Sequence, residues 1–205
     1  RLCIARALWG FEYSSLILSG LILVAMTAHI IRAEKGSNHP ASDFSATISG
    51  LIYLGFIGSY LVSLRNLPGG MWWLLLAIPT VSIGDSGAFF IGRKFGRHPL
   101  APVVSPQKTI EGYWGGVLFS ILGGLALACL WGLRFPAIMP IHGLVLGIIL
   151  GVLTPLGDLG ESMLKRQFGV KDTGIIFSGH GGMMDRMDSW LWGAVISYYV
   201  VILFF

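Results

Sequence analysis

The sequence has 205 residues, of which 54% are hydrophobic and only 12% are charged. Soluble domains carry about 25% charged residues, so a surface that faces water on all sides is excluded. The formal net charge of +4 would suit a nucleic-acid-binding protein, but the basic residues lie in short segments between apolar runs. That arrangement is typical of a membrane protein, and no nucleic-acid partner is expected.

Six apolar segments are long enough to cross a bilayer as helices, which needs about 20 residues each. In chain order they are Ser14–Ile31, Ala46–Leu64, Met71–Ile91, Tyr113–Leu133, Ile141–Leu164 and Ser189–Phe205. The runs are continuous and lack the alternation of a membrane β-strand, so they predict an all-α, polytopic transmembrane bundle of about six helices. The chain starts without a methionine, and we expect further membrane helices upstream of it.

Residues 1–70 hold N-terminal membrane helices, and residues 71–205 hold a second membrane region with almost all of the polar motifs. Ten of the 14 lysines and arginines fall on one side of the predicted bundle, which should be cytoplasmic. Two polar loops, 92–112 and 165–188, lie on that side. Arg93, Lys94 and Arg97 in the first loop are explained by topology and lipid headgroups, with substrate binding as a second interpretation.

Small residues and a proline mark the fifth predicted helix. Gly143, Gly147 and Gly151 share one face, which predicts close helix packing within the chain. The same kind of face would also serve a homodimer, so the oligomeric state stays open. Pro155 should bend or loosen this helix just before Asp158. Both cysteines lie among apolar residues and are expected to be buried, without a disulfide.

Seven of the ten carboxylates lie between Asp85 and Asp188. On a helix, Asp158, Glu161, Ser162 and Lys165 would share one face. Carboxylates at membrane depth cost roughly 2.5–3.5 kcal/mol on insertion scales, so two on one face need a compensating partner. A bound cation is the favoured interpretation, and a structural ion pair with a nearby basic residue is the alternative.

The segment that follows combines glycines, basic residues and further carboxylates. Its polar and glycine positions include Lys171, Asp172, His180, Gly181, Gly182, Asp185, Arg186 and Asp188. Glycines allow backbone N–H groups to approach a phosphate closely, and His180 is either a phosphate-binding residue or a loop histidine satisfied by backbone. Hard oxygen ligands beside phosphate-binding cations suit Mg²⁺.

An earlier segment resembles a small phosphate-binding turn. Ser105, Lys108 and Thr109 supply hydroxyl and ammonium donors around Pro106, although a solvated loop lysine has the same spacing. Asp85 is a further candidate for shaping the cavity or for binding metal or nucleotide, and Glu111 is a possible site residue.

Three stretches resemble one known family. Residues 162–188 read SMLKRQFGVKDTGIIFSGHGGMMDRMD, a close match to the signature of the phosphatidate cytidylyltransferases, also called CDP-diacylglycerol synthases. The stretches DSGA at 85–88 and SPQKTIEG at 105–112 also look like this family. The resemblance covers about residues 80–190 and makes residues 71–205 the expected catalytic region.

The resemblance implies a reaction and a cofactor. The family makes CDP-diacylglycerol and pyrophosphate from CTP and phosphatidic acid, using Mg²⁺ in a two-cation centre. The positions that match its metal-binding aspartates are Asp158 and Asp185. The second cation would be K⁺ or another Mg²⁺. We expect a multi-pass protein of a bacterial inner membrane, with the active site facing the cytoplasm.

Roles for individual residues follow as a hypothesis. The expected catalytic residues are Asp158, Asp185, Lys165 and Arg186. The expected substrate-binding residues are Ser105, Lys108, Thr109, Ser162, Arg166, Lys171, His180, Gly181 and Gly182. Asp188 and Glu161 would join Asp158 and Asp185 as metal ligands or lie just behind them. Asp85, Glu111 and Asp172 are further candidates.

Two other interpretations remain open at this point. A CTP-using polyprenol or phytol kinase would transfer the γ-phosphate and release CDP without pyrophosphate. A cation transporter or channel would use Asp85, Asp158 and Glu161 as an ion path, but it would not need a basic, glycine-rich cytoplasmic loop.

Overall fold

A computed structural model describes residues 13–167 and 184–205, together with Cys3 and Arg6. Residues 168–183 and the side chains of residues 184–186 lie outside this description. The chain divides into two compact units, Arg1–Pro68 and Gly69–Phe205. Within the described residues, six helical spans are long and apolar enough to cross a membrane. The predicted helical, multi-pass architecture is therefore confirmed.

The first unit contains helix α1 (Ser14–Glu34) and a second span built from three consecutive pieces. These pieces are α2 (Pro40–Gly50), a π-helical segment (Leu51–Ile57) and α3 (Tyr60–Asn66). The sequence predicted one regular helix here and did not indicate the π-helical segment. A 3.0 Å hydrogen bond between His29 and Thr47 joins α1 to α2.

In the described part of the second unit there are four long helices and a small hairpin. The helices are α4 (Gly70–Phe95), α5 (Ile110–Gly132), α6 (Pro140–Gln167) and α7 (Met184–Phe204), and the antiparallel strands are β1 (Pro99–Ala101) and β2 (Ser105–Thr109). Helix α5 packs along both α4 and α6, and α7 packs against α4 and α6. Leu76, Leu146 and Leu191 are among the buried core residues. The indole of Trp190 donates to Ser82 at 3.1 Å and joins α7 to α4.

The hairpin was not predicted, and the two polar loops are shorter than expected. Helix α4 continues to Phe95, so Arg93 and Lys94 lie in its last turn. Helix α6 continues through Pro155 to Gln167 without a break, and its last turn contains Lys165 and Arg166. Because both helices extend beyond their predicted ends, these four basic residues lie in helical turns at the same end of the unit.

Glycines set the distance between α5 and α6, as the sequence predicted. A Cβ added at Gly143 would collide with the backbone of Gly124, and one at Gly151 would lie 3.0 Å from the Val117 Cα. Backbones approach this closely only where side chains are absent. The glycines of α6 therefore allow close packing against another helix of the same chain.

Replacing Gly147 by Ala should lower the midpoint of thermal unfolding in detergent. The added Cβ would lie 2.6 Å from the Ser120 carbonyl oxygen and 2.8 Å from the Ile121 Cα. Both are backbone atoms, so the helices would have to separate, at a cost of about 1–3 kcal/mol.

The matched control is Gly160→Ala on the same helix, because nothing lies within 4 Å of its added Cβ. Its midpoint should stay unchanged or rise, since Ala favours a helix over Gly by about 1 kcal/mol. Equal midpoints for the two variants would contradict the packing interpretation.

Apolar side chains cover much of the outer surface. Phe89, Leu118 and Ile202 are each at least half exposed. A helix in a bilayer turns such side chains towards lipid, so their exposure agrees with six membrane spans. The prediction that both cysteines are buried is wrong, because Cys3 and Cys129 are both exposed. An apolar neighbourhood in a membrane helix indicates contact with lipid as readily as burial in protein.

Candidate active site

A cavity of about 470 Å³ opens within the second unit, at the end of the bundle where the hairpin lies. One wall is formed by Asp85, Phe89 and Arg93 of α4, which are spaced four residues apart and so share one helix face. Pro155 and Asp158 of α6 form another wall. The rest of the lining comes mainly from the hairpin and the start of α5: Leu100, Ser105, Gln107, Lys108, Thr109, Gly112 and Tyr113.

The hairpin is held over the cavity by the first turn of α5. The Glu111 carboxylate accepts the backbone N–H of Arg97 at 3.0 Å and that of His98 at 3.3 Å. It also lies 2.5 Å from Nδ1 of His98. The Ile110 N–H donates to the His98 carbonyl oxygen at 2.9 Å. These contacts fix the chain at the point where it leaves α4 and where it enters α5, so both ends of the hairpin are anchored.

Replacing Glu111 by Ala should loosen this anchor and lower catalytic efficiency by about 10-fold, because misplacement of a positioning element is costly. Hydrogen exchange at residues 97–104 should accelerate in the same variant. Faster exchange follows from losing the acceptor of two backbone N–H groups. Unchanged exchange there would show that Glu111 does not hold the hairpin.

Lys108, near the end of β2, forms an ion pair with Asp158 on α6. Both side chains are partly exposed, at 23% and 34%, because they line the cavity. Thr109 follows directly and caps α5, its hydroxyl accepting the Gly112 N–H at 3.1 Å. The cap and the ion pair together place the lysine ammonium between the hairpin and α6.

Two further carboxylates meet deeper in the bundle. Glu161 of α6 is 1% exposed and Asp188 of α7 is 8% exposed, and their side chains lie close enough to interact. Glu161 also faces Lys165 one turn along α6, with an Nζ–Oε2 distance of 3.6 Å. Two buried carboxyl groups in contact repel one another when ionised, so this arrangement calls for positive charge between or beside them.

Asp85 completes the group from α4. Ser189 hydrogen-bonds to its carboxylate, and Asp158 and Asp188 lie close enough to repel it electrostatically. Its side chain is solvent-accessible because it faces the cavity, although protein surrounds it on the other sides. Among the described residues, four carboxylates from three helices therefore converge with two lysines, and these six side chains alone carry a formal excess of two negative charges.

Part of this donor set fits a divalent cation. Among the described residues, no three His, Cys, Asp or Glu side chains are close enough together to hold one ion. The contacting carboxylates of Glu161 and Asp188 do suit Mg²⁺, which typically takes one or two carboxylates and completes its shell with waters or substrate phosphates. Asp158 is engaged by Lys108.

Comparison with known proteins gives the family. The chain matches the sequence model of the cytidylyltransferase family over residues 3–204, which is nearly its whole length. It belongs to the cytidylyltransferase family. Among its relatives, a phosphatidate cytidylyltransferase of Synechocystis sp. is 37% identical over 189 residues, 79% of this chain and 63% of that protein.

Other bacterial relatives give the same result. A phosphatidate cytidylyltransferase of Bacillus subtilis is 39% identical over 155 residues, 75% of this chain and 56% of that protein. One of Staphylococcus epidermidis is 37% identical over 174 residues, 85% of this chain and 65% of that protein. The chain thus spans less than two thirds of the length of each of these curated relatives.

Several predicted site residues of this cytidylyltransferase-family chain meet at the cavity or beside it. Asp85, Asp158, Lys108, Ser105 and Thr109 line the cavity. Glu161, Asp188 and Lys165 form the linked group of charges beside it. Glu111, a possible site residue without a predicted role, anchors the hairpin.

Two predicted substrate-binding residues have other surroundings. Ser162 is buried on α6 and is not part of the cavity lining. Arg166 is exposed, and its Nε donates to the Val104 carbonyl oxygen of the hairpin turn at 3.4 Å. Seven predicted positions lie outside the described residues or have undescribed side chains, namely Lys171, Asp172, His180, Gly181, Gly182, Asp185 and Arg186.

Sequence reasoning missed parts of the site in this cytidylyltransferase-family chain. Arg93 lines the cavity but was explained mainly by topology. Its four-residue spacing from Phe89 and Asp85 was a signal that could have placed it on the same face. Tyr113 also lines the cavity, and its hydroxyl donates to the Val152 carbonyl oxygen at 3.2 Å, which ties α5 to α6. Nothing local in the sequence indicates that contact.

Proposed function

We propose that the protein transfers the cytidylyl group of CTP to phosphatidic acid, giving CDP-diacylglycerol and pyrophosphate for phospholipid synthesis. The observation that carries the proposal is the convergence of Asp85, Asp158 and Lys108 on one cavity in a membrane-spanning member of the cytidylyltransferase family. Curated relatives with the name phosphatidate cytidylyltransferase support this choice of substrates.

In the reaction, a phosphate oxygen of phosphatidic acid attacks the α-phosphorus of CTP. A new P–O–P bond forms, and the bond from the α-phosphorus to the oxygen that bridges to the β-phosphorus breaks. That oxygen leaves as part of pyrophosphate. The reaction joins two anions, so the protein's main contribution is to position them and to neutralise charge.

The described residues suit those tasks. Lys108 lines the cavity with its ammonium buried against Asp158, and the ammonium can bind a phosphate oxygen that takes the place of this carboxylate. The anchored hairpin brings Lys108 to a fixed position, since Glu111 and Thr109 fix the two ends of the segment. Lys171, His180, Gly181 and Gly182 remain proposed phosphate-binding residues on the strength of the family resemblance.

Mg²⁺ is the proposed cofactor, and when bound it would neutralise phosphate charge and orient the phosphates. Glu161 and Asp188 are the described residues whose contact best suits it. Asp158 and Asp185 stay in the proposed set of ligands, and a second cation, K⁺ or another Mg²⁺, stays part of the proposal. The carboxylate of Asp85 lies near those of Asp158 and Asp188, so it would add to the negative charge around the site.

The proposed location is a bacterial inner membrane, with the cavity facing the cytoplasm. The end of the unit that carries the cavity also carries Arg93, Lys94, Lys165 and Arg166, as expected of a cytoplasmic side. A lipid substrate explains why the cavity lies between membrane helices, because its acyl chains can stay in the bilayer. A homodimer stays a prediction.

The test uses protein purified in detergent after expression of its complete gene. It is supplied with phosphatidic acid, Mg²⁺ and CTP labelled either in the cytosine or at the γ-phosphate. Cytosine label should enter the organic phase with the lipid, while γ-phosphate label stays in water as pyrophosphate. The reverse distribution would reject cytidylyl transfer in favour of γ-phosphate transfer to the lipid, and absence of label in lipid would reject both of these transfers to phosphatidic acid.

A further inference from the structure

Arg93 occupies a position in the cavity that differs from that of Lys108, the other cation of the described residues that line it. It lies in the last turn of α4, and its guanidinium carbon is 6.0 Å from the centre of the Phe89 ring. Phe89 is 59% exposed and its neighbour Phe90 is 64% exposed. Arg93 therefore lies where the polar cavity meets an exposed apolar surface of a membrane-spanning helix.

The charge of Arg93 is also uncompensated within the described residues. The carboxylate of Asp158 pairs with Lys108, whereas no Asp or Glu of the described residues lies within ion-pair distance of Arg93. A cavity that holds one cation paired with a carboxylate and one cation without such a partner has two different anion-binding positions. An anion that binds Arg93 displaces no carboxylate of the described residues.

We propose that Arg93 binds the phosphate of the lipid substrate at the membrane-facing edge of the cavity. This inference rests on the proposed cytidylyl transfer and assigns the lipid's own binding position within it. A phosphate monoester presents several oxygens on one face, which match the paired N–H groups of a guanidinium. The Phe89 ring beside it offers an apolar surface to the glycerol and acyl parts of the lipid. CTP has no such parts.

The assignment divides the cavity between the two substrates. Lys108 lies on the hairpin, and Asp158 is one of the four clustered carboxylates. The nucleotide's phosphates would be neutralised beside this pair. Arg93 lies on α4, two turns beyond Asp85 on the same face. The lipid phosphate held by Arg93 would approach the nucleotide from the side of α4.

Two general effects also favour a basic residue at the position of Arg93, and Lys94 is the control for both. A cation in the last turn of a helix is stabilised by the helix dipole, and a basic residue at the cytoplasmic edge favours the observed topology. Lys94 shares both properties and lies in the same turn, with its ammonium 5.3 Å from the Phe95 ring. Lys94 is not among the cavity-lining residues, so it separates these general effects from substrate binding.

The experiment measures steady-state kinetics in mixed micelles, varying the mole fraction of phosphatidic acid and, separately, CTP. Arg93→Ala should raise the KM for phosphatidic acid by about 10- to 100-fold, the range expected for losing charge-assisted hydrogen bonds. The KM for CTP should stay within about twofold. Arg93→Lys should recover part of the loss because it keeps the charge without the fork geometry. Lys94→Ala should behave as wild type.

Three outcomes would overturn the assignment. They are an unchanged KM for phosphatidic acid in Arg93→Ala, a raised KM for CTP instead, or an equal effect of Lys94→Ala. A binding measurement separates this failure from failure of the proposed reaction. Calorimetry with dihexanoyl phosphatidic acid, and with dihexanoyl phosphatidylcholine as comparison, should show Arg93-dependent binding of the phosphate monoester alone. A wild-type protein that binds this lipid but does not turn over CTP would refute the proposed reaction only.

Discussion

Asp188→Asn should reduce turnover by about 10²- to 10³-fold, the loss typical of removing one group that stabilises charge in a transition state. The change keeps the size of the side chain and removes one of the two buried carboxylates that meet between α6 and α7. Glu161→Gln should give a similar loss. The Mg²⁺ concentration for half-maximal activity should rise in both variants, because each removes one hard oxygen ligand from the proposed pair.

Stability separates a functional pair from a structural one. Two buried carboxylates in contact oppose folding, so in EDTA the thermal midpoint of Asp188→Asn should equal or exceed that of the wild type. A large fall in midpoint with a parallel fall in activity would instead indicate a structural role. Glu34→Gln, an exposed carboxylate at the end of α1, is the control and should leave both quantities unchanged.

Lys108→Ala should lower kcat/KM by about 10²-fold, since it removes the ammonium that the hairpin holds against Asp158 beside the cavity. The Lys108–Asp158 pair also joins the hairpin to α6, so loss of activity alone would not identify the cause. The double variant Lys108→Asp with Asp158→Lys restores an opposite-charge pair between the same two positions. We expect it to recover the thermal midpoint lost by Lys108→Ala while turnover stays low.

Recovery of turnover in the exchanged pair would show that the ion pair is a structural link and that neither residue acts on substrate. Lys35→Ala provides the control for removal of a lysine charge, because Lys35 is exposed at the end of α1. Its kcat/KM should remain close to that of the wild type. An equal loss in both lysine variants would point to a general effect of net charge on the anionic substrates.

The membrane spans could be predicted because their signal is local. About 20 consecutive apolar residues have few alternatives to a membrane helix, and all six predicted segments fall within the observed spans to within two residues. The neighbourhood of Glu161 and Lys165 was also predictable, since i, i+4 spacing on a helix fixes it. Glycine spacing likewise predicted the close approach of α5 and α6.

The hairpin and the pairings across the site depend on contacts between distant parts of the chain. The segment Pro99–Thr109 contains three prolines and no alternating apolar pattern, so strand signals were lacking. The pairing of Lys108 with Asp158, and the contact of Glu161 with Asp188, form only when helices pack. Sequence spacing could place these residues on their own elements but could not choose their partners. The role of Glu111 was missed for the same reason.

The most direct test of cytidylyl transfer follows the oxygen atoms of the lipid phosphate. Phosphatidic acid carrying ¹⁸O in its phosphate group is incubated with CTP, Mg²⁺ and the purified protein, and the products are analysed by mass spectrometry. If a phosphatidate oxygen attacks the α-phosphorus of CTP, all of the ¹⁸O appears in CDP-diacylglycerol and none in pyrophosphate. Appearance of ¹⁸O in pyrophosphate or in inorganic phosphate would contradict the account, because a bond of the lipid phosphate would then have broken.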